Sequence, residues 1–172
     1  MNVTPVRPGD VFFIPAGLVH AIGEGVLLAE IQQTSDVTYR IYDWDRVDAS
    51  GKPREMHTAL AIDAINFSLD SNNLMRPEPE LNRSVLLAES QYFHTSLIMF
   101  DRPIIKDYSL TDSFVIYICT GSMAVVECNG YSEEIKAGET ILIPASADSV
   151  AIIPKGKATL LEVFVPQKNT TK

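Results

Sequence analysis

Apolar residues recur with a period of two through most of this chain, in runs too short for long helices. Val37, Tyr39 and Ile41 share one face of a run whose other face carries Thr38, Arg40 and Tyr42, the alternation of a half-buried strand. Val11–Ile14 and Val26–Gln33 read as strands as well. From Arg83 onward the pattern is nearly continuous: Ser84–Glu89, Tyr92–Phe100, Ile104–Ser109, Phe114–Thr120, Met123–Cys128, Tyr131–Ile135, Thr140–Pro144, Ser149–Ile153 and Ala158–Val165. Asn129-Gly130 between two of these is a strong hairpin signal, because both positions tolerate a left-handed backbone. Pro53 opens the one helix expected, residues 54–67, in which Ala59, Ile62 and Ile65 or Asn66 fall at helical spacing and Glu55 suits the first turn. Residues 48–52 read as a loop. Residues 70–82, polar and proline-bearing, read as a linker.

A repeat organises these elements. Arg7-Pro8-Gly9-Asp10-Val11-Phe12-Phe13-Ile14-Pro15-Ala16 matches Lys136-Ala137-Gly138-Glu139-Thr140-Ile141-Leu142-Ile143-Pro144-Ala145 position by position. Two related β-barrel units are implied, the first beginning upstream of Met1. The fold class expected is mainly all-β, a sandwich or jelly-roll barrel, with one unit truncated, one complete, and a helix between them. Residues 1–69 would be the remnant of the first barrel with its helix, and residues 83–172 the second barrel.

Composition narrows the partners. The chain has 172 residues, 46% apolar and 21% charged, enough for a real core. A net charge of −8 without a local Lys/Arg cluster disfavours nucleic acid. A phosphorylated sugar remains admissible, since one placed arginine can hold a phosphate. No apolar run approaches the roughly 18 residues of a membrane span, and no leader pattern opens the chain. Cys119 and Cys128 lie inside apolar runs without zinc-site spacing. They read as buried thiols of a reducing, cytoplasmic compartment.

The chemistry is concentrated in Gly9 to Glu24, which spells G-x5-P-x-G-x2-H-x3-E. Gly9 turns the chain into a strand and Pro15-x-Gly17 breaks it. His20 then opens the next strand with its imidazole directed inward. An isolated core histidine is most often hydrogen-bonded to backbone; the flanking glycines and proline favour a metal ligand here. The pattern resembles the second motif of the cupins, small jelly-roll barrels that often hold a metal, although their last position is usually Asn rather than Glu. At the position of His20 the second copy has Ser149, a poor zinc ligand, so the second barrel is expected to be metal-free.

The run from Leu28 to Arg46, LAEIQQTSDVTYRIYDWDR, followed by Met56-His57-x2-Ala59-Leu60, resembles type I mannose-6-phosphate isomerase of the short bacterial sort. The specific resemblance covers residues 7–67, and the rest matches that family's C-terminal barrel by pattern. The resemblance implies a zinc-dependent isomerase interconverting mannose 6-phosphate and fructose 6-phosphate through an enediol. His20 stands where the family has its last zinc ligand, Arg40 where it has its active-site arginine, and Asp36 at an acidic position near that arginine. The family's other ligands, a Gln-x-His pair and a Glu, lie upstream of anything present. One zinc is therefore expected per full-length enzyme, with weak or no binding and no turnover by these residues alone. A homo-oligomer closing the exposed edge of the truncated barrel is expected too. The alternative is a non-catalytic cupin-like binding or structural module. His57 reads as a surface or capping residue, His94 as a strand surface residue, Trp44 as a packing anchor, and Glu133-Glu134 as a solvated strand end.

Overall fold

The computed structural model describes residues 2–35, 37–69 and 73–167. It divides into two compact units, one of residues 1–7 and 12–75, the other of residues 8–11 and 76–172.

Regular structure is sparse in the first unit. Its helix is Thr58–Ala64 (α1); the short strand Val11–Phe12 (β1), which the division cuts between its two residues, and Leu74–Met75 (β2) form a two-stranded sheet. The strands expected at Val26–Gln33 and Val37–Tyr42 do not form. A strand is a statement about neighbours as much as about alternation, and the described residues of these runs join no ladder. Their apolar side chains stay in solvent, Leu27 at 98% exposure and Val37 at 58%.

The helix is shorter than the expected 54–67 at both ends. Residues 54–57 are drawn out of it because the His57 backbone N–H donates to the Arg40 carbonyl at 2.8 Å. At the other end Ile65 turns extended, and the Asn66 N–H donates to the Gly17 carbonyl at 3.0 Å. The buried face is Ala61, with Ile65 half-buried one turn on, while Ile62 is exposed.

The second unit is a β-sandwich. Its strands are Arg83–Glu89 (β3), His94–Phe100 (β4), Ile104–Asp107 (β5), Val115–Gly121 (β6), Met123–Cys128 (β7), Tyr131–Lys136 (β8), Thr140–Ile143 (β9), Ser149–Pro154 (β10) and Ala158–Phe164 (β11). They form a five-stranded sheet in the order β3-β4-β11-β6-β9 and a four-stranded sheet in the order β5-β10-β7-β8. The six strand pairings with β10, β11 and β7 to β8 or β6 to β9 are antiparallel, as is β3 with β4. The long returns that set β10 between β5 and β7, and β11 between β4 and β6, make this a jelly roll. The expected class, mainly all-β with one helix, is what the described residues adopt.

Alternation decides which side chains enter the core. Phe100, Tyr117 and Leu160 from one sheet and Ile135, Val150 and Ile152 from the other are all fully buried, each worth about 1.5–3 kcal/mol for the aliphatic and Phe side chains. Asn129 and Gly130 both take positive φ, 49° and 81°, closing the β7–β8 hairpin with Cys128 opposite Tyr131. His94 is not the surface residue expected: it stacks on Phe164 at 4.5 Å and bonds Ser96 Oγ at 2.9 Å. Cys119 is buried, but Cys128 is only half-buried, and both are free thiols. Glu133 and Glu134 are solvated. Among the described residues no helix is long and apolar enough to cross a membrane.

One charged network lies inside this sandwich. Lys106 Nζ sits 2.8 Å from the buried carboxylate of Glu162 and 2.9 Å from Ser84 Oγ. Tyr108 donates to the same carboxylate and shares a hydrogen bond with Tyr117. Burial pushes both phenols well above the usual tyrosine range, and the nearby Glu162 charge pushes them further.

The repeat has a geometric counterpart. Gly9 and Gly138 take φ of 91° and 90°. After each strand the chain turns with an N–H donating to the proline carbonyl, Leu18 to Pro15 at 3.2 Å and Ala147 to Pro144 at 3.0 Å. Ser149, the counterpart of His20, is exposed on β10, across the strand from buried Val150.

Candidate active site around Arg40 and His20

A backbone hairpin builds the surroundings of Arg40. The loop of residues 48–52 closes through Asp48: its carbonyl accepts from Gly51 N–H, its carboxylate accepts from Ser50 and Lys52, and its N–H donates to Lys52 O. Beyond the Val47–Pro53 bridge the two arms run back side by side. Trp44 and Asp45, both left-handed at φ 51° and 53°, make a turn in one arm, with Arg46 N–H bonded to Asp43 O at 3.1 Å. That turn shifts the register so that Asp43 meets Arg54 and Arg40 meets His57.

Both contacts are specific. Arg54 donates from Nε (2.6 Å) and from Nη2 to the two oxygens of the Asp43 carboxylate, a forked pair. Asp43 is the one buried charged residue among the described residues of this unit. The Arg54 hydrogen bonds hold its carboxyl below the usual range against the opposing effect of burial, and the charges of Arg54, Arg40 and Arg46 add to them. Arg40 is held by residues 55–57. Its N–H donates to His57 Nδ1 at 3.2 Å, its carbonyl accepts from His57 N–H at 2.8 Å, and its Nη1 donates to the Glu55 carbonyl at 3.3 Å.

His20 lies on the turn that follows Pro15-Ala16-Gly17. Gly17 has φ +86°, and a Cβ there would lie 3.0 Å from both Ala64 O and Asn66 N, so only glycine lets this turn dock on the end of α1. The imidazole is exposed, not directed inward as the sequence led us to expect, because no closed barrel surrounds it within this unit. Its Nδ1 lies 3.0 Å from Leu18 O. Next to a carbonyl that nitrogen carries the proton, which leaves the Nε2 lone pair available to a cation.

One helix links the two residues. His57, which holds Arg40, accepts the Ala61 N–H at the start of α1, and Asn66 just beyond its end holds Gly17. Seven residues of helix separate the anchors, about 10 Å of axis. Asp36, the acidic residue expected beside Arg40, lies outside the described residues. Trp44 is not a packing anchor: it is 48% exposed, beside Tyr42 and under the Arg46 guanidinium at 5.4 Å.

The residues present do not complete a zinc site. His20 Nε2 suits one coordination position, but no group of three or more His, Cys, Asp or Glu side chains among the described residues could hold a metal. A stable site needs about four ligands, or three and a water.

No family model matches the chain. Among curated proteins, ManA of Bacillus subtilis strain 168, a mannose-6-phosphate isomerase, is 58% identical over 60 residues, 35% of this chain and 19% of its own length. The mannose-6-phosphate isomerase of Streptococcus mutans is 46% identical over 68 residues, 40% of this chain and 22% of its own. YvyI of B. subtilis, whose assignment as a mannose-6-phosphate isomerase is itself provisional, is 30% identical over 161 residues, 91% of this chain. Over most of its length, then, the chain is similar to mannose-6-phosphate isomerases. It spans 49% of YvyI, about half of that relative's length. A cupin superfamily protein from Desulfitobacterium hafniense aligns with 53% of this chain and 84% of its own, at 21% identity and a TM-score of 0.45.

Sequence reading missed His57, Glu55 and the Asp43–Arg54 pair. The signal was present in the 48–52 loop, which makes residues 40–57 a hairpin and sets 54–57 against 40–43.

Proposed function

We propose that these 172 residues are the C-terminal part of a zinc-dependent aldose–ketose isomerase that interconverts mannose 6-phosphate and fructose 6-phosphate in the cytoplasm. The observation that carries this reading is the coupling of Arg40 and His20 through α1, since these are the positions the family resemblance implies. Arg40 supplies a fixed positive charge for the oxygen that becomes negative as the carbonyl enolises. Asp43 does not neutralise it, because Arg54 occupies both carboxylate oxygens. His20 supplies one nitrogen to the zinc, and the remaining ligands come from polypeptide outside these residues.

Self-association is part of the proposal. Leu27, Val37, Tyr42, Trp44 and Phe67 all stand in solvent in the first unit, apolar area that association with a second copy would remove from water. Sedimentation of the isolated chain then gives a dimer or larger species. For the activity, fructose 6-phosphate formation from mannose 6-phosphate is followed in an assembly that supplies the missing ligands. Turnover that disappears with Arg40→Ala and with His20→Ala supports the reading. Turnover indifferent to both replacements overturns it in favour of a binding or structural module.

A further inference from the structure

We infer that His57 is the positioning residue for Arg40; this rests on the proposed isomerase reading for its catalytic consequence, but not for its geometry. Arg40 sits in a stretch that joins no ladder, so neighbouring strands do not fix the direction of its side chain. Residues 55–57 do this instead. His57 contacts both backbone groups of Arg40, as acceptor through Nδ1 at 3.2 Å and as donor through its own N–H at 2.8 Å. The Glu55 carbonyl takes Nη1 at 3.3 Å. A guanidinium tied at both its backbone and its head is fixed in direction and in reach, as a charge aimed at a reacting oxygen must be.

The side chain at 57 has to accept. Because Nδ1 faces the Arg40 N–H, it carries a lone pair, and the proton of the neutral ring is on Nε2, 3.9 Å from the Glu55 carboxylate. The ring is held edge-on by Tyr39, centroids 6.3 Å apart at 62°, and its backbone carbonyl is anchored by the Ala61 N–H of α1 at 2.8 Å. His57 therefore transmits the placement of the helix to Arg40, and through the Asn66–Gly17 bond the same helix carries the His20 turn. Asparagine offers an acceptor oxygen close to the place of Nδ1, whereas leucine fills similar space and offers none.

The test uses amide hydrogen exchange of the full chain. His57→Leu accelerates exchange at the Arg40 amide by about tenfold, the factor expected for one lost hydrogen bond, while amides of β4 and β11 are unchanged. His57→Asn restores the native rate. In the zinc-loaded assembly that turns over sugar phosphate, His57→Leu lowers kcat with KM changed less than twofold, and His57→Asn recovers most of kcat. Equal Arg40 exchange in native and Leu variants overturns the clamp. Loss of the clamp without loss of kcat, in an enzyme that Arg40→Ala inactivates, overturns the positioning role. If Arg40→Ala leaves turnover intact, the isomerase reading falls while the exchange result still stands by itself.

Discussion

Replacing Lys106 by methionine removes the ammonium that faces the buried carboxylate of Glu162 and keeps most of the apolar stem. The pair is close, 2.8 Å, with side chains 20% and 4% exposed. Breaking a buried pair from one side typically costs about 3–5 kcal/mol, because the remaining charge keeps its desolvation penalty. Two features pull the figure to the lower end. The Lys106 head reaches partial solvent, and the Tyr108 hydroxyl still donates to Glu162. A loss of about 3 kcal/mol is expected, a fall in Tm on the order of 10 °C for a unit of this size. Removing the carboxylate as well, in Lys106→Met/Glu162→Leu, recovers most of that loss, since Tyr108 and Tyr117 can still bond each other. Urea unfolding followed by circular dichroism gives both values. A single variant within about 0.5 kcal/mol of the native chain, the range of ordinary surface substitutions, would refute the reasoning. So would a double variant less stable than the single one.

Two further outcomes concern the first unit. Gly17→Ala puts a Cβ 3.0 Å from Ala64 O and Asn66 N at a φ of +86°, a strain of roughly 1–3 kcal/mol; amide exchange at Asn66 should speed up, and an unchanged rate would contradict the docking described for that turn. Asp43 titrates below the usual carboxylate range because Arg54 bonds it, so its contribution is present above the unfolded value of about 4 and disappears as pH falls through the lower folded value. Thermal scans from pH 7 downward should show Asp43→Asn with a shallower acid loss than the native chain, and superimposable acid limbs would rule this out.

The second unit was legible because its information is local. Alternation located β3 to β11 to within about two residues at each end, the usual uncertainty of element boundaries, and the Asn129-Gly130 pair fixed one register. The charged network was not legible: Lys106 and Glu162 sit in runs that read as plain strands, and only the packing of the sheet that holds β5 on the sheet that holds β11 brings them to one interior. In the first unit the same alternation misled. Val26–Gln33 and Val37–Tyr42 carry the pattern of strands but have no ladder partner among the described residues. The helix lost residues 54–57 to a competing use, the bonding of Arg54 to Asp43 and of Glu55 and His57 to Arg40. His57 looked like a cap because its role depends on a hairpin register set by the left-handed Trp44-Asp45 turn.

Complementation decides whether His20 and Arg40 are part of a mannose-6-phosphate isomerase site that other polypeptide completes, as proposed above. The chain is mixed with the part of B. subtilis ManA that lies N-terminal to its match with this sequence, and bound zinc and fructose 6-phosphate formation are measured together. About one zinc per pair is expected, the stoichiometry of a single catalytic site, with turnover, both lost on His20→Ala and neither given by this chain alone. A pair that forms and yet gains neither metal nor activity, or one whose zinc and turnover survive His20→Ala, would contradict it.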